Sequence, residues 1–223
     1  MRAWKLPILV VAVLLAGAAP AAAEGYYMAL HGGANFTHDG AVDDYFFFEP
    51  DQIGHSAFES GYGFGGAFGY KSPDWRVELE ATYRRNGLEK IEWDVFGKDG
   101  TFDTDGDISS LAFLINAFWD IPVGPAVIPY LGAGIGLAYV DFDGLFDADG
   151  PLFDESEVGL AAQLGLGVGF PLGEAITLSM DYRFFFVGFL EPTVDASQPG
   201  IGGQSLGFEY TNSTLWLGLR YEF

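Results

Sequence analysis

The chain has 223 residues and a formal net charge of −21, from 31 Asp and Glu against 10 Lys and Arg. That balance argues against nucleic acid or an anionic surface as a direct partner. With no cysteine, neither a disulfide framework nor a thiolate-held metal is available. Its 32 Gly, 21 Phe and 11 Tyr are high for a soluble domain, whereas a narrow barrel uses glycine where walls approach and aromatics at the lipid interfaces.

At the start, Arg2 and Lys5 precede an apolar run from Leu6 to Leu15, followed by small residues that end in Ala21-Ala22-Ala23. This is the layout of a secretory signal peptide with cleavage after Ala23. Pro7, Pro20 and the Ala/Gly-rich tail favour cleavage over a membrane anchor. The expected organisation is residues 1–23 as signal and 24–223 as one β domain delivered through the periplasm.

The mature chain alternates apolar and polar or small residues, the period of a strand with two unlike faces. Tyr26 to Phe36 puts Tyr26, Met28, Leu30 and Phe36 on one face and His31 and Asn35 on the other. Tyr62 to Lys71 and Trp75 to Arg84 form a hairpin through Ser72-Pro73-Asp74, with Trp75, Val77, Leu79 and Tyr83 opposing Arg76, Glu78, Glu80 and Arg84. Ser109 to Ile121 pairs with Val127 to Val140 through Pro122-Val123-Gly124-Pro125, and Leu160 to Phe170 pairs with Ile176 to Phe186 through Pro171-Leu172-Gly173-Glu174. Asn116, Asp120, Gln163, Thr177, Asp181 and Arg183 take the polar face of these strands.

The last strand runs from Leu215 to Phe223. Leu215, Leu217, Leu219, Tyr221 and Phe223 share one parity, and Trp216, Gly218, Arg220 and Glu222 the other. Arg220 and Glu222 cannot sit in lipid, and the opposite face would be an aggregation hazard in water. A membrane barrel supplies both solvents, lipid outside and a polar lumen inside. Short links follow the second, fourth and sixth strands, while the others are too long for ordinary hairpin loops. The expectation is an all-β fold: an eight-stranded antiparallel up-and-down transmembrane β-barrel with short periplasmic turns and four long external loops.

The ending Gly218-x-x-Tyr221-x-Phe223 resembles the assembly signal of bacterial outer-membrane barrels. Together with Pro129-Tyr130-Leu131-Gly132-Ala133-Gly134 and the inward Arg/Glu strand, it makes the chain resemble the opacity-like or OmpA-like surface proteins. The resemblance implies integral outer-membrane localisation, contact with membrane lipid and lipopolysaccharide, and recognition of Gly218, Tyr221 and Phe223 by the barrel-assembly machinery. It is uninformative about activity, because that group includes adhesins, immune-evasion antigens and envelope-stabilising proteins. No peptidoglycan-binding domain is expected after Phe223.

Three sets of residues are candidate sites. In the bore, Arg76, Glu78, Glu80, Arg84, Asp181, Arg183, Arg220 and Glu222 carry both signs. They are expected to pair as a plug, since unpaired charge in a bore cut off from water costs several kcal/mol. Inward glycines leave room that water, Trp216 and Phe185 are expected to fill. In the second external loop, Asp103, Asp105 and Asp107 have the oxygen density that calcium favours, without the closing glutamate of the full calcium loop. They read first as solvated charge, with a shared calcium as the sharper expectation and no other cofactor.

The third set is apolar. Tyr45-Phe46-Phe47-Phe48 and Val187-Gly188-Phe189-Leu190 are expected at the lipid interface or, at loop tips, as a patch for an extracellular partner. Of the histidines, His31 points to the lumen, and His38 and His55 lie in the first loop. No serine stands beside a strand-borne histidine on the lipid face, so no catalytic residue is assigned. The reading is a non-enzymatic surface barrel whose acidic loops serve envelope structure or adhesion. Its alternatives are a lipid A-modifying enzyme and a small pore of the porin kind.

Overall fold

The computed structural model describes residues 24–37, 40–44, 51–58, 60–95, 98–143, 145–147, 150–153, 156–190 and 208–223. Side chains at 40–58, 88–106, 143–153, 189 and 208 fall outside that description. Twelve strands are described: β1 (Gly25–Thr37), β2 (Gly40–Asp44), β3 (Asp51–Phe58), β4 (Gly61–Lys71), β5 (Trp75–Val95), β6 (Lys98–Asp120), β7 (Ile128–Asp143), β8 (Leu145–Asp147), β9 (Gly150–Phe153), β10 (Ser156–Pro171), β11 (Ile176–Leu190) and β12 (Phe208–Glu222).

Eight of these form a closed antiparallel ring in the order β1, β4, β5, β6, β7, β10, β11, β12, with β12 returning to β1. The closing pair runs from Tyr27↔Glu222 to Thr37↔Asn212. Closure removes every edge between the ring strands, which is what allows a sheet to lie in hydrocarbon. The parity of the sequence maps directly onto the two faces. Leu30, Leu79, Ile115, Ile135, Leu164 and Leu217 are exposed on the outside, while Arg76, Glu78, Glu80, Asp181 and Arg183 are buried inside.

Aromatic rings bound the apolar band at each end. On the turn side, Tyr26 stacks on Phe68 with ring centroids 5.7 Å apart, Tyr70 meets Trp75 at 6.1 Å, and Phe223 packs 6.3 Å from Tyr221. Phe223 also donates its backbone N–H to Tyr26 O at 3.0 Å, so the last residue is fastened to the first strand. On the other side, Tyr182 hydroxyl and Ser213 Oγ are 2.5 Å apart, and Tyr139 donates to Ser156 Oγ. These pairs supply partners for hydroxyls at the lipid-water boundary.

The turn between β10 and β11 holds Gly173 at φ +129°, a backbone region that L side chains rarely adopt. Leu172 N–H closes that turn on Ile176 O at 2.8 Å.

The strands reach further outward than the sequence periodicity predicts. β5 and β6 continue past the band as a hairpin that remains paired to Val95↔Lys98. At ~3.3 Å per residue, the stretch beyond Tyr83 spans up to roughly 40 Å. β2 and β3 pair with each other, and β3 adds to β5 between Gly54↔Trp93 and Phe58↔Leu88. β8 and β9 form a further short hairpin. Much of the first three long connections is therefore β-structure rather than irregular loop, because ladder pairing satisfies backbone groups that a long loop would leave to water.

Candidate functional site

The bore has two levels of different chemistry. On the turn side lies a charged network. Arg183, on β11, extends across the ring to Glu80 on β5 through its Nη1, and its Nε bonds Asp181 Oδ1 at 2.5 Å. Glu80 also accepts from Asn116 at 3.1 Å and Gln163 at 3.3 Å. Arg76 Nε bonds both oxygens of Asp120 at 3.0 Å. Glu222 receives Arg220 Nε at 3.0 Å and Lys71 Nζ at 2.9 Å. Glu78 accepts from Tyr27 hydroxyl at 2.8 Å, and Tyr130 donates to Asp181 at 2.9 Å.

The network is closely filled, and inward glycines make that possible. A Cβ at Gly69 would collide with the Tyr27 ring, one at Gly132 with Phe118, and one at Gly134 with Asn116. Each of these glycines stands directly opposite, or beside, a bulky lumen side chain on the next strand. Among the described residues, a cavity of about 30 Å³ is bordered by His31, Arg76, Glu78, Asp181 and Arg220. A water needs roughly 10–15 Å³ of such space, so this cavity has room for about two waters.

The outer level combines an apolar cluster with a neutral polar one, in which Asn35 donates to Asn86, Tyr210 donates to Asn86 Oδ1 at 3.4 Å and Thr214 donates to Asn35 Oδ1 at 2.5 Å, all of them buried. Ile108, Val140, Phe142, Phe185, Val187, Leu190 and Tyr210 are buried together with Ala112, Ala138 and Ala161. Val187 and Leu190 therefore correct the expectation that Val187-Gly188-Phe189-Leu190 lies at the lipid interface. The β11–β12 register shifts between Val187 and Leu190, and both side chains are buried with the cap instead. The cluster at Tyr45-Phe46-Phe47-Phe48 falls outside the described residues.

Between the levels sits Arg84, fully buried. It donates Nη1 to Thr82 Oγ1 at 2.8 Å, and its guanidinium lies 4.0 Å from the centre of the Phe185 ring and 5.4 Å from Trp216. It has no carboxylate partner among the described residues. Seven of the eight charges read from the sequence thus sit in the hydrogen-bonded network, and Arg84 stands apart. His31 is also in the bore, with its ring edge-on to Trp216 at 4.7 Å.

Sequence reasoning did not single out Tyr27, Phe118 and Tyr130, nor the cap residues Ile108, Phe142 and Tyr210. All occupy inward parity. The available signal was an inward aromatic facing a glycine on the neighbouring strand, and parity that continues beyond the expected strand ends.

On the outer side, Asp107 bonds Arg85 Nη2 at 2.6 Å. The side chains of Asp103 and Asp105 lie outside the described residues. Their backbones are in β6, where pairing with β5 slips between Leu88 and Lys90. Among the terminal residues, Gly218 faces the bore, and a Cβ there would strike Ser179 Oγ, while Phe223 belongs to the turn-side aromatic ring. His38, His55 and the expected signal, residues 1–23, lie outside what is described.

A closed eight-stranded ring, apolar without, charged within and girdled by aromatics, defines an integral outer-membrane β-barrel. The chain belongs to the outer membrane protein beta-barrel domain family, whose model matches residues 8–223. It is 29% identical over 217 residues to an uncharacterized protein of Brucella abortus, covering 82% of this chain and 74% of that one. It is 23% identical over 197 residues to the outer membrane protein PagN of Salmonella typhimurium, covering 81% and 82% respectively. Among solved structures it is similar to OprG from Pseudomonas aeruginosa, with TM-score 0.57, 20% identity and coverage of 89% and 96%. Neisserial surface protein A is also similar, with TM-score 0.51, 18% identity and coverage of 91% and 98%.

Proposed function

We propose that this outer-membrane barrel is a non-enzymatic surface protein whose external β-arms make its contacts, in adhesion or envelope structure. One observation carries the reading: the bore is filled at two levels, while β5 and β6 continue as a paired arm far beyond the lipid band and recruit β2 and β3. Ladder pairing holds such an arm in shape, so it presents a surface without ordering a loose loop on binding. The connections between ring strands are strongly acidic, with Asp39, Asp43, Asp44, Glu49 and Asp51 in the first and Glu89, Glu92, Asp94, Asp99 and Asp103 in the second. A basic protein surface, or an anionic one bridged by divalent cations, suits that charge.

The non-enzymatic part of the reading rests on His31. Its side chain is enclosed in the bore against Trp216, away from the lipid face where an acyl chain would be cut.

The test replaces residues 88–105 by a tight turn, leaving the ring strands intact, and compares whole-cell binding to basic and acidic surfaces with and without calcium. Calcium is varied because Asp103, Asp105 and Asp107 lie on this arm. Loss of binding with normal barrel yield is expected. Unchanged binding sinks the arm reading, and altered lipid A mass spectra in cells lacking the protein would favour an enzyme instead.

A further inference from the structure

The lipid-facing wall carries a furrow that crosses five of the eight ring strands. Among the described residues it lies between two neighbouring rows of outward side chains, bounded by Met28 and Leu30 on β1 and, at the far end, by Ile135 and Leu137 on β7. Strand pairing carries the rows across β4, β5 and β6: Leu30 stands opposite Gly66, Gly66 opposite Ala81, Ala81 opposite Phe113, and Phe113 opposite Leu137. Glu80 and Leu114 also border the furrow, yet their side chains are buried in the bore, so its floor is backbone. Its volume is about 680 Å³.

Gly66 opens this space. The inward glycines make room for lumen side chains, as Gly69 does for Tyr27. Gly66 has the opposite parity, and a methyl there would meet Ala29 O and Leu30 Cδ2, each at 3.3 Å, and no lumen side chain. With Ala81 beside it, Gly66 leaves a low stretch in a wall otherwise built of the exposed side chains Leu30, Phe68, Leu79 and Phe113.

Position and shape decide what fills it. Met28 follows Tyr26 of the turn-side aromatic ring, and Leu137 precedes Tyr139 at the outer boundary. The furrow therefore climbs through the hydrocarbon from one interface toward the other, as a line across tilted strands must. Four interstrand spacings of ~4.8 Å make it ~19 Å long. In hydrocarbon there is no water to expel, so packing decides what binds, and an unfilled furrow forfeits dispersion contacts. A second barrel is convex and would meet this convex wall only along a narrow strip. A flexible acyl chain can follow it over all five strands.

We infer that the furrow holds one acyl chain of a phospholipid, which enters from the turn-side leaflet beside Tyr26 and runs toward Leu137. At the entry end Tyr70 donates to Glu24 at 3.3 Å, and that carboxylate suits an ammonium headgroup. At the far end Asp141 follows Tyr139 on the same face, where its charge opposes the phosphates of lipid A.

The test uses the intact barrel in vesicles of phosphatidylethanolamine and phosphatidylglycerol. The probe is phosphatidylethanolamine with a diazirine at the end of one acyl chain, and adducts are mapped by mass spectrometry after photolysis. They should concentrate on Phe113, Ile115, Ile135 and Leu137, while Leu164, Leu166 and Leu217, comparably exposed elsewhere on the ring, are labelled weakly. Gly66→Leu with Ala81→Leu should bring the furrow down to the level of those controls. If the double variant does not insert, Ala81→Leu alone should reduce the labelling. The same diazirine carried on lipid A should label the furrow less than the phospholipid does, and Leu79→benzoylphenylalanine should yield lipid adducts without cross-linked dimers. The inference is overturned by even labelling around the ring, by unchanged labelling in the filled variant, by adducts of the chain end at Met28 and Phe68 instead, by stronger labelling from lipid A, or by dimers cross-linked through position 79.

Discussion

The turn-side and outer levels of the bore close the same cylinder by different means, the first with paired charges and the second with apolar and uncharged polar side chains. Below, Arg183, Glu80, Asp181, Arg76 and Asp120 neutralise one another through directional bonds, one of which, Arg183 to Glu80, joins strands on opposite sides of the ring. Above, Ile108, Val140, Phe142 and Val187 fill space without direction beside an uncharged polar cluster of Asn35, Asn86, Tyr210 and Thr214. A charged network tolerates a residual cavity because waters can complete its bonds, and the 30 Å³ cavity lies on that side. An apolar cap gains from expelling water altogether.

The sharpest way to break the comparison is Glu80→Ala, which strips the acceptor shared by Arg183, Asn116 and Gln163. Removing one partner of a buried pair costs about 3–5 kcal/mol, so the urea midpoint of the detergent-folded barrel should fall steeply. Glu80→Gln, which keeps the shape and part of the bonding, should fall less. An equal loss in both would assign the effect to packing rather than charge.

Gly69→Ala comes next. At an unconstrained position this change stabilises a protein slightly by limiting the unfolded chain. Here the added methyl meets the Tyr27 ring, and the overpacking should instead cost about 1–3 kcal/mol. The double change Gly69→Ala with Tyr27→Leu should recover part of the loss, as read from the same urea curves.

In the outer cap, Ile108→Val removes one methylene and leaves no charge bare. Its cost should be about 0.5–1.5 kcal/mol, well below that of Glu80→Ala, although Ile108 is just as deeply buried. A larger loss at Ile108 would reverse the ranking of the two levels.

The smallest signal is electrical. The unmutated barrel in a planar bilayer should show no stable open channel, because either level alone blocks the bore. Arg183→Ala opens only the lower one and should stay silent. Arg84→Ala with Arg183→Ala disturbs both and should give rare, brief openings. Steady conductance from the parent protein would contradict the filled bore directly.

Much of this was legible in the chain itself. Alternation from Trp75 to Arg84 and from Leu215 to Phe223 sorted lipid-facing from lumen-facing residues, because a strand turns successive side chains to opposite sides. The reach of the strands was less legible. The acidic stretch from Glu89 to Asp107 looks like solvated loop, yet its backbone continues the β5–β6 ladder, since pairing depends on the partner strand rather than on the charge of the side chains. Val187 and Leu190 were misjudged for a related reason. Apolar residues at a strand end look the same whether they meet lipid or roof a lumen.

By itself, the sequence determined the two faces, the alternation of short and long connections and the sign of every lumen charge. Only the closed ring decided who meets whom. Arg183 and Glu80 are 103 residues apart and four strands away around the barrel. Whether they stand at the same height depends on the stagger between neighbouring strands, which accumulates around the circle and is set by closure as a whole. The same stagger carries Arg84 beyond Glu80 and sets it beside the rings of Phe185 and Trp216.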